Sequence, residues 1–94
     1  MNDETILGVL KTDLQISTDA LDAYLGNLID QARQQITTVG ITLDAGSVPD
    51  AMLVEQYAAY LYRSRRETPG AMPRALRWAL NNRLFAEKGA AGNG

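Results

Sequence analysis

The sequence contains no cysteine and no histidine among its 94 residues. The absence of cysteine excludes disulfide bonds, thiolate nucleophiles and cysteine-based metal sites. The absence of histidine removes the most common metal ligand and the usual general base near neutral pH. No apolar run approaches the roughly 20 residues that span a bilayer. The N-terminal segment Met-Asn-Asp-Glu carries two acids and does not resemble a signal peptide. We therefore expect a soluble intracellular protein that uses no cofactor or metal and is not an enzyme.

What remains is the composition of one small globular domain. Hydrophobic residues make up 46% of the chain and charged residues 21%, a balance typical of folded proteins. A chain of this length buries only roughly 60–65% of its extended surface, which makes its core small. A partner surface would therefore add to its stability.

Apolar residues recur every three or four positions in four segments, which glycine- and proline-containing breaks separate. The predicted helices span about residues 3–14, 17–39, 49–66 and 73–87. Ser47 is the expected N-cap of the third helix, and Gly40 is the expected stop of the second. The predicted fold class is all-α, a small four-helix domain with short loops. The helical domain is expected to span residues 1–88, followed by a flexible, glycine-rich tail at 89–94.

The third and fourth predicted helices differ from ordinary surface helices. The third is apolar over much of its circumference, which is typical of a central helix, and Tyr62 is expected on the side away from its main apolar face. The fourth carries Leu76, Leu80 and Leu84 on one face. Trp78 and Phe85 lie on nearly the opposite face, with Arg74 beside them. Two apolar faces indicate either burial on both sides within the monomer or a surface used by another subunit, and both alternatives stay open.

Charge is distributed unevenly along the chain. The first 55 residues hold nine acids and two bases, a net charge of −7, whereas the remaining residues hold seven bases and two acids, a net charge of +5. This division is compatible with ordinary solvated helix faces. It also suits head-to-tail self-association or a polyanionic partner.

No residue pattern predicts catalysis, and one pattern raises the question of nucleic acid. The acids near the helix starts are explained by the helix dipole, and no phosphate-binding or calcium-binding loop occurs. Arg63, Arg65 and Arg66 end the third helix, and Arg74 and Arg77 begin the fourth, around a Pro-Gly turn. The segment between the two helices is longer than the turn of a helix-turn-helix, and the pI of about 4.9 is low for a groove reader.

Read as a whole, the chain resembles the head–tail connector family of long-tailed phages, also called head-completion or DNA-packaging adaptor proteins. The resemblance runs from about Thr5 to Lys88. It rests on the order and spacing of several short segments and not on any single motif. These segments are Leu10-Lys-Thr-Asp-Leu-Gln-Ile16, Leu28-Ile29-Asp-Gln-Ala32, Pro49-Asp50, Tyr57-Ala-Ala-Tyr-Leu-Tyr-Arg63, Met72-Pro73 and Asn81-Asn-Arg83.

The resemblance implies a helical protomer that assembles into a ring, typically dodecameric, beneath the portal of the virion. Such a ring extends the DNA channel, lets double-stranded DNA pass without sequence-specific contact, and docks the next neck or tail-completion protein. Localisation in the virion neck follows, with the host cytoplasm as the place of assembly and no membrane contact. The expected subunit or portal interface comprises Asp19, Asp22, Asp30, Arg63, Arg65, Arg66, Arg74, Arg77, Trp78 and Phe85.

Two other functions remain open from the residues alone. The first is a small helical DNA-binding or regulatory module, which a duplex-binding assay at physiological salt distinguishes from a connector. The second is another helical interaction protein, such as a small chaperone or an antitoxin-like partner.

Overall fold

The computed structural model describes residues 2–66 and 72–92, and the side chains of residues 65, 66 and 88–92 lie outside this description. It contains four helices: α1 (Asp3–Asp13), α2 (Asp22–Thr38), α3 (Val48–Arg66) and α4 (Arg74–Gly92). No strand occurs in the described ranges, so the predicted all-α class is confirmed. None of the helices described there has the length and apolar character needed to cross a bilayer.

Helix α3 lies at the centre of the packing, as its apolar circumference predicts. It contacts α1, α2 and α4, and α1 also packs against α2. Buried apolar side chains from all four helices and from the α2–α3 connection form one core. Its largest fully buried members are Ile6, Leu10, Leu25, Ile29, Ile36 and Ile41. Tyr62, expected on the side away from the main apolar face of α3, is only 8% exposed, because other helices cover α3 on several sides.

The start of α2 lies later than the predicted start near residue 17. The helix begins at Asp22, and no side chain caps it. The Thr18 hydroxyl accepts a hydrogen bond within the preceding turn instead, and the carboxylate of Asp19 lies 3.0 Å from Nζ of Lys11. The carboxylate of Asp22 lies 2.8 Å from the same nitrogen. Contact with α1 therefore displaces the local capping that the sequence favours.

Helices α1 and α2 end in the same type of left-handed turn. Gly40 follows α2 with φ of 112°, as predicted, and Gln15 follows α1 with φ of 59°. After each helix, the amide of an inward-facing isoleucine donates to a carbonyl in the last turn: Ile16 at 2.8 Å and Ile41 at 3.4 Å. The link after α1 is thus a tight turn that directs Ile16 onto the core.

These two turns predict opposite responses to substitution. Gln15→Gly should raise the free energy of unfolding by about 0.5–1 kcal/mol, because glycine adopts positive φ without the steric cost of a side chain. Gly40→Ala should lower it by about 1–2 kcal/mol, since its Cβ would also lie 3.3 Å from Cδ1 of Leu84. Urea unfolding followed by circular dichroism measures both. A loss of stability in Gln15→Gly would show that the turn carries no such cost.

Helix α4 begins directly after Pro73 and extends to Gly92, five residues beyond the predicted end near Glu87. The backbone of residues 89–92, which the sequence analysis places in a tail, is therefore helical. Two adjacent alanines in this stretch have the highest helix propensity, which helps the helix to continue past Gly89.

A polar cluster fixes α4 to the rest of the molecule. The guanidinium of Arg83 forms an ion pair with the carboxylate of Asp50 at the start of α3. It also donates to the carbonyl of Thr42 at 3.0 Å and lies 3.7 Å from Glu87. Glu87 accepts a hydrogen bond from the Thr42 amide at 3.1 Å. One turn of α4 is thereby joined to both α3 and the α2–α3 connection.

Asp50 is the buried member of this cluster, with its side chain only 6% exposed. Its second oxygen accepts the Asp44 amide at 2.7 Å, and its own amide donates to Ser47, which confirms Ser47 as the cap of α3. Burial by itself would raise the pKa of the Asp50 carboxyl. The Asp44 amide and the Arg83 guanidinium outweigh burial and lower that pKa below its ordinary value. Asp50 is therefore a carboxylate at neutral pH.

Removal of the Arg83 guanidinium should show how far the stability of the fold depends on its ion pair with Asp50. Arg83→Met keeps most of the aliphatic stem but leaves a buried carboxylate unpaired, so the free energy of unfolding should fall by about 2–4 kcal/mol at pH 7. The loss should shrink below pH 4, where the carboxyl group becomes protonated. Arg77→Met, on the exposed side of the same helix, is the matched control and should change stability by less than about 0.5 kcal/mol. Equal effects of the two substitutions in denaturant titrations would contradict this account.

Candidate functional site

The solvent-facing side of α4 is the clearest candidate surface. Trp78 is 69% exposed and Phe85 is 81% exposed, whereas Leu76 on the other side is buried. The prediction of two opposed apolar faces on this helix is thus confirmed, and the protomer covers only one of them. We define the outer face of α4 by five exposed residues: Arg74, Arg77, Trp78, Asn81 and Phe85.

The outer face combines apolar area with unpaired positive charge. Trp78 and Phe85 are seven residues apart, which places them two turns or about 10.5 Å apart along the helix axis. Arg74 and Arg77 form no ion pair with any residue in the described ranges. Exposed aromatic residues next to arginine are typical of protein–protein contact surfaces.

The acidic residues expected at an interface form ion pairs inside the protomer. Asp19 and Asp22 both lie against Lys11, and the hydrogen bond to Asp22, then that to Asp19, raises the pKa of this lysine. Asp30 lies 3.5 Å from Arg33, which also pairs with an acid of α1. These acids remain accessible at the surface, with between 37% and 91% of each side chain exposed. Their charge is partly balanced before any partner arrives.

The arginines fall into two groups. Arg63 lies 3.5 Å from Asp13 and is half exposed, so it belongs to the contact between α3 and α1. Arg74 and Arg77 belong to the outer face of α4. The side chains of Arg65 and Arg66 lie outside the described residues. The predicted interface residues are therefore spread over more than one surface of the protomer, and the structure does not gather them into one site.

A groove between α1 and α3 was not predicted from the sequence. It has a volume of about 680 Å³, and Asp13 lies at the end nearest the C-terminus of α1. Gly8 lies in the middle of its α1 side, and its α3 side consists of longer side chains. We call it the α1–α3 groove and define it by Thr5, Gly8, Val9, Thr12, Asp13, Met52, Glu55 and Gln56.

Glu55 is the unusual residue of this groove because it is a carboxyl group that is only 3% exposed. Its Oε2 atom has no hydrogen-bond partner among the described residues. The pKa of Glu55 is raised to about 7, mainly by burial and also by the neighbouring Asp13, and Arg63 offsets part of this effect. The sequence carried a signal for this burial: Ala51, Ala58 and Ala59 lie one turn away on either side of Glu55, and all three are buried.

A second cavity, of about 470 Å³, lies beside the N-terminus of α1. Ile6, Ala51 and Val54 contribute apolar surface to it. Its charged residues already have partners, since Asp3 pairs with Arg33. Within the described residues, no group of three or more acidic side chains could hold a metal ion.

The raised pKa of Glu55 predicts a pH dependence of stability. The folded protein binds the Glu55 proton up to about pH 7, whereas the unfolded chain releases it near pH 4.5. The contribution of this residue to stability should therefore be full below pH 4.5 and should be lost as the pH rises to about 7, an effect on the order of 1–3 kcal/mol. Glu55→Gln, which stays neutral, should unfold at a higher temperature than the wild type at pH 8 and at a similar temperature at pH 4.5.

The control for this measurement is Glu4→Gln, on the exposed first turn of α1. It should not alter the difference between pH 4.5 and pH 8. If Glu55→Gln loses stability at pH 8 relative to the wild type, the carboxylate form of Glu55 is the one that the fold needs, and the assignment is wrong.

Comparison with known proteins gives one match. Residues 5–72 match the family model of the phage gp6-like head-tail connector proteins. The matched range contains most of α1 and all of α2 and α3, and it ends before α4. No curated protein and no solved structure matches the chain at a significant level.

Proposed function

Because the chain belongs to the phage gp6-like head-tail connector family, a family of structural proteins and not of enzymes, we propose that it forms a ring beneath the portal of the phage head. In this position it extends the channel through which double-stranded DNA passes and presents a docking surface to the next neck or tail-completion protein. Family membership supports a structural role in the virion. Ring formation, portal docking and the channel are the parts that we add.

The observation that carries this proposal is the exposed outer face of α4. A small monomer that functions alone has no need to expose a tryptophan and a phenylalanine two turns apart on one helix. A subunit that contacts a neighbour or the portal through this helix would bury both rings. Trp78 and Phe85 would then act as the apolar anchors of the contact, with Arg74 and Arg77 at its rim.

The uneven charge of the chain supports a head-to-tail arrangement. In a closed ring, each subunit places one surface against a different surface of the next. Acids of α1 and α2, among them Asp19, Asp22 and Asp30, would face arginines of the neighbouring subunit, including Arg63, Arg65 and Arg66. Association should then weaken as added salt screens these charges.

The proposed channel requires weak contact with DNA. Tight phosphate binding would hinder the passage of the duplex, so we expect a lumen that is acidic or only weakly basic. The proposed division into a connector domain at residues 1–88 and a short segment at 89–94 leaves that segment available for contact with the portal.

The test of this function is electron microscopy of the purified protein, alone and mixed with portal-bearing particles. The wild type should form rings on the portal. The double variant Trp78→Ser and Phe85→Ser should fold normally but lose ring formation or portal binding. Val39→Ser, at an apolar residue that is 54% exposed directly after α2, is the matched control and should behave like the wild type.

Two further measurements separate the connector from its alternatives. Analytical ultracentrifugation across salt concentrations should show smaller oligomers at high salt and in the variant Arg65→Glu with Arg66→Glu. Duplex DNA should bind only weakly at physiological salt. Strong duplex binding by a protein that ignores portal particles would favour the DNA-binding module instead.

A further inference from the structure

We propose that the α1–α3 groove receives the outer face of α4 from a second copy of this chain. This inference rests on the proposed ring, and it assigns the two surfaces that each pair of neighbouring subunits would bring together. It uses a groove that is open in the protomer and a helix face that the protomer leaves uncovered.

The two surfaces match in length. Thr5 and Asp13 mark the extent of the groove along α1, and Trp78 and Phe85 mark the apolar part of the outer face of α4. The first pair is about 12 Å apart along its helix and the second about 10.5 Å. Anchors at this spacing are typical of a helix that lies in a groove.

The middle of the groove has room for large side chains. Gly8 is exposed, and a Cβ atom built on it would meet no atom within 4 Å. Thr5 and Thr12 on either side are also small. The α1 wall therefore allows close approach of another helix at Gly8, while Val9 and Met52 provide apolar surface.

The two surfaces also match in charge. Asp13 gives the groove a negative charge, whereas Arg74 and Arg77 have no ion-pair partner in the described ranges. Oε2 of Glu55, buried and without a hydrogen-bond partner, lacks a donor such as a guanidinium group would supply. Arg63 already forms an ion pair with Asp13, and Oε2 of Glu55 remains without a hydrogen-bond partner.

The charges also give the contact a direction. Asp13 ends α1, and the arginines lie in the first turns of α4. Pairing these ends places the incoming helix antiparallel to α1. Because the groove and the outer face belong to different helices of one protomer, the contact leaves a free groove and a free helix at the two ends of any pair. Such a contact can repeat from subunit to subunit and close into a ring.

A matched pair of glycine substitutions tests this contact. Gly8→Leu fills the groove, and Gly26→Leu makes the same change on α2, where an added Cβ also meets nothing within 4 Å. Both variants should unfold at or above the wild-type temperature, since leucine favours helix more than glycine does. Sedimentation equilibrium should show at least tenfold weaker self-association for Gly8→Leu and less than twofold change for Gly26→Leu. Wild-type association of Gly8→Leu, or equal weakening of both variants, would overturn the proposal.

Disulfide trapping gives a second measurement, which the absence of native cysteine makes clean. Gly8→Cys and a mass-tagged Asn81→Cys protein are mixed under oxidising conditions, in concentrated solution and on portal-bearing particles. Asn81 lies between the two aromatic anchors, so a mixed dimer should form well above the amount obtained with Gly26→Cys and Asn81→Cys.

The outcomes separate this inference from the function on which it rests. Rings on the portal without the mixed Gly8–Asn81 dimer would overturn the groove contact and leave the connector role standing. A failure of both ring formation and trapping would overturn both. Trapping that succeeds only with the Gly26 control would also overturn the groove contact.

Discussion

The orientation of α4 depends on one buried carboxylate, that of Asp50. Apolar contacts between the leucine side of α4 and the core attract the helix, but they are not directional. The ion pair with Arg83 and the hydrogen bond from Asp44 have defined geometry, and they join α4, the start of α3 and the α2–α3 connection. This cluster favours one rotation of α4 about its axis. That rotation keeps Trp78 and Phe85 in solvent.

The parts of the fold that sequence predicts well are those that local chemistry decides. Apolar spacing predicts all four helices, and Ser47 and Gly40 mark their ends correctly because a cap and a left-handed turn involve only neighbouring residues. The start of α2 was predicted too early because Lys11 engages the carboxylate of Asp19. The burial of Tyr62 was not predicted for a related reason, since the number of helices around α3 is a property of the whole fold.

The candidate surfaces also divide into features that local sequence predicts and features that depend on the whole fold. Periodicity alone places Trp78 and Phe85 opposite the leucines of α4, and the structure leaves both exposed. The pair formed by Asp50 and Arg83 joins residues 33 positions apart, for which no local pattern exists. Glu55 was counted only as one more acid, although its burial between α1 and α3 raises its pKa. Charge counting along a chain cannot show which charges the fold has already paired.

The order of the helices has a consequence for how a virion could use this chain. Contacts between α1 and α2, between α2 and α3, and between α3 and α4 join helices that follow one another directly, and the contact between α1 and α3 passes over one helix. Domains rich in such short-range contacts fold in microseconds to milliseconds, whereas subunit assembly takes milliseconds to minutes and depends on concentration. Each newly made chain should thus reach its final shape long before it meets a neighbour. The rate of virion assembly would then be limited by the encounter of folded proteins, and the concentration of this chain would control that rate.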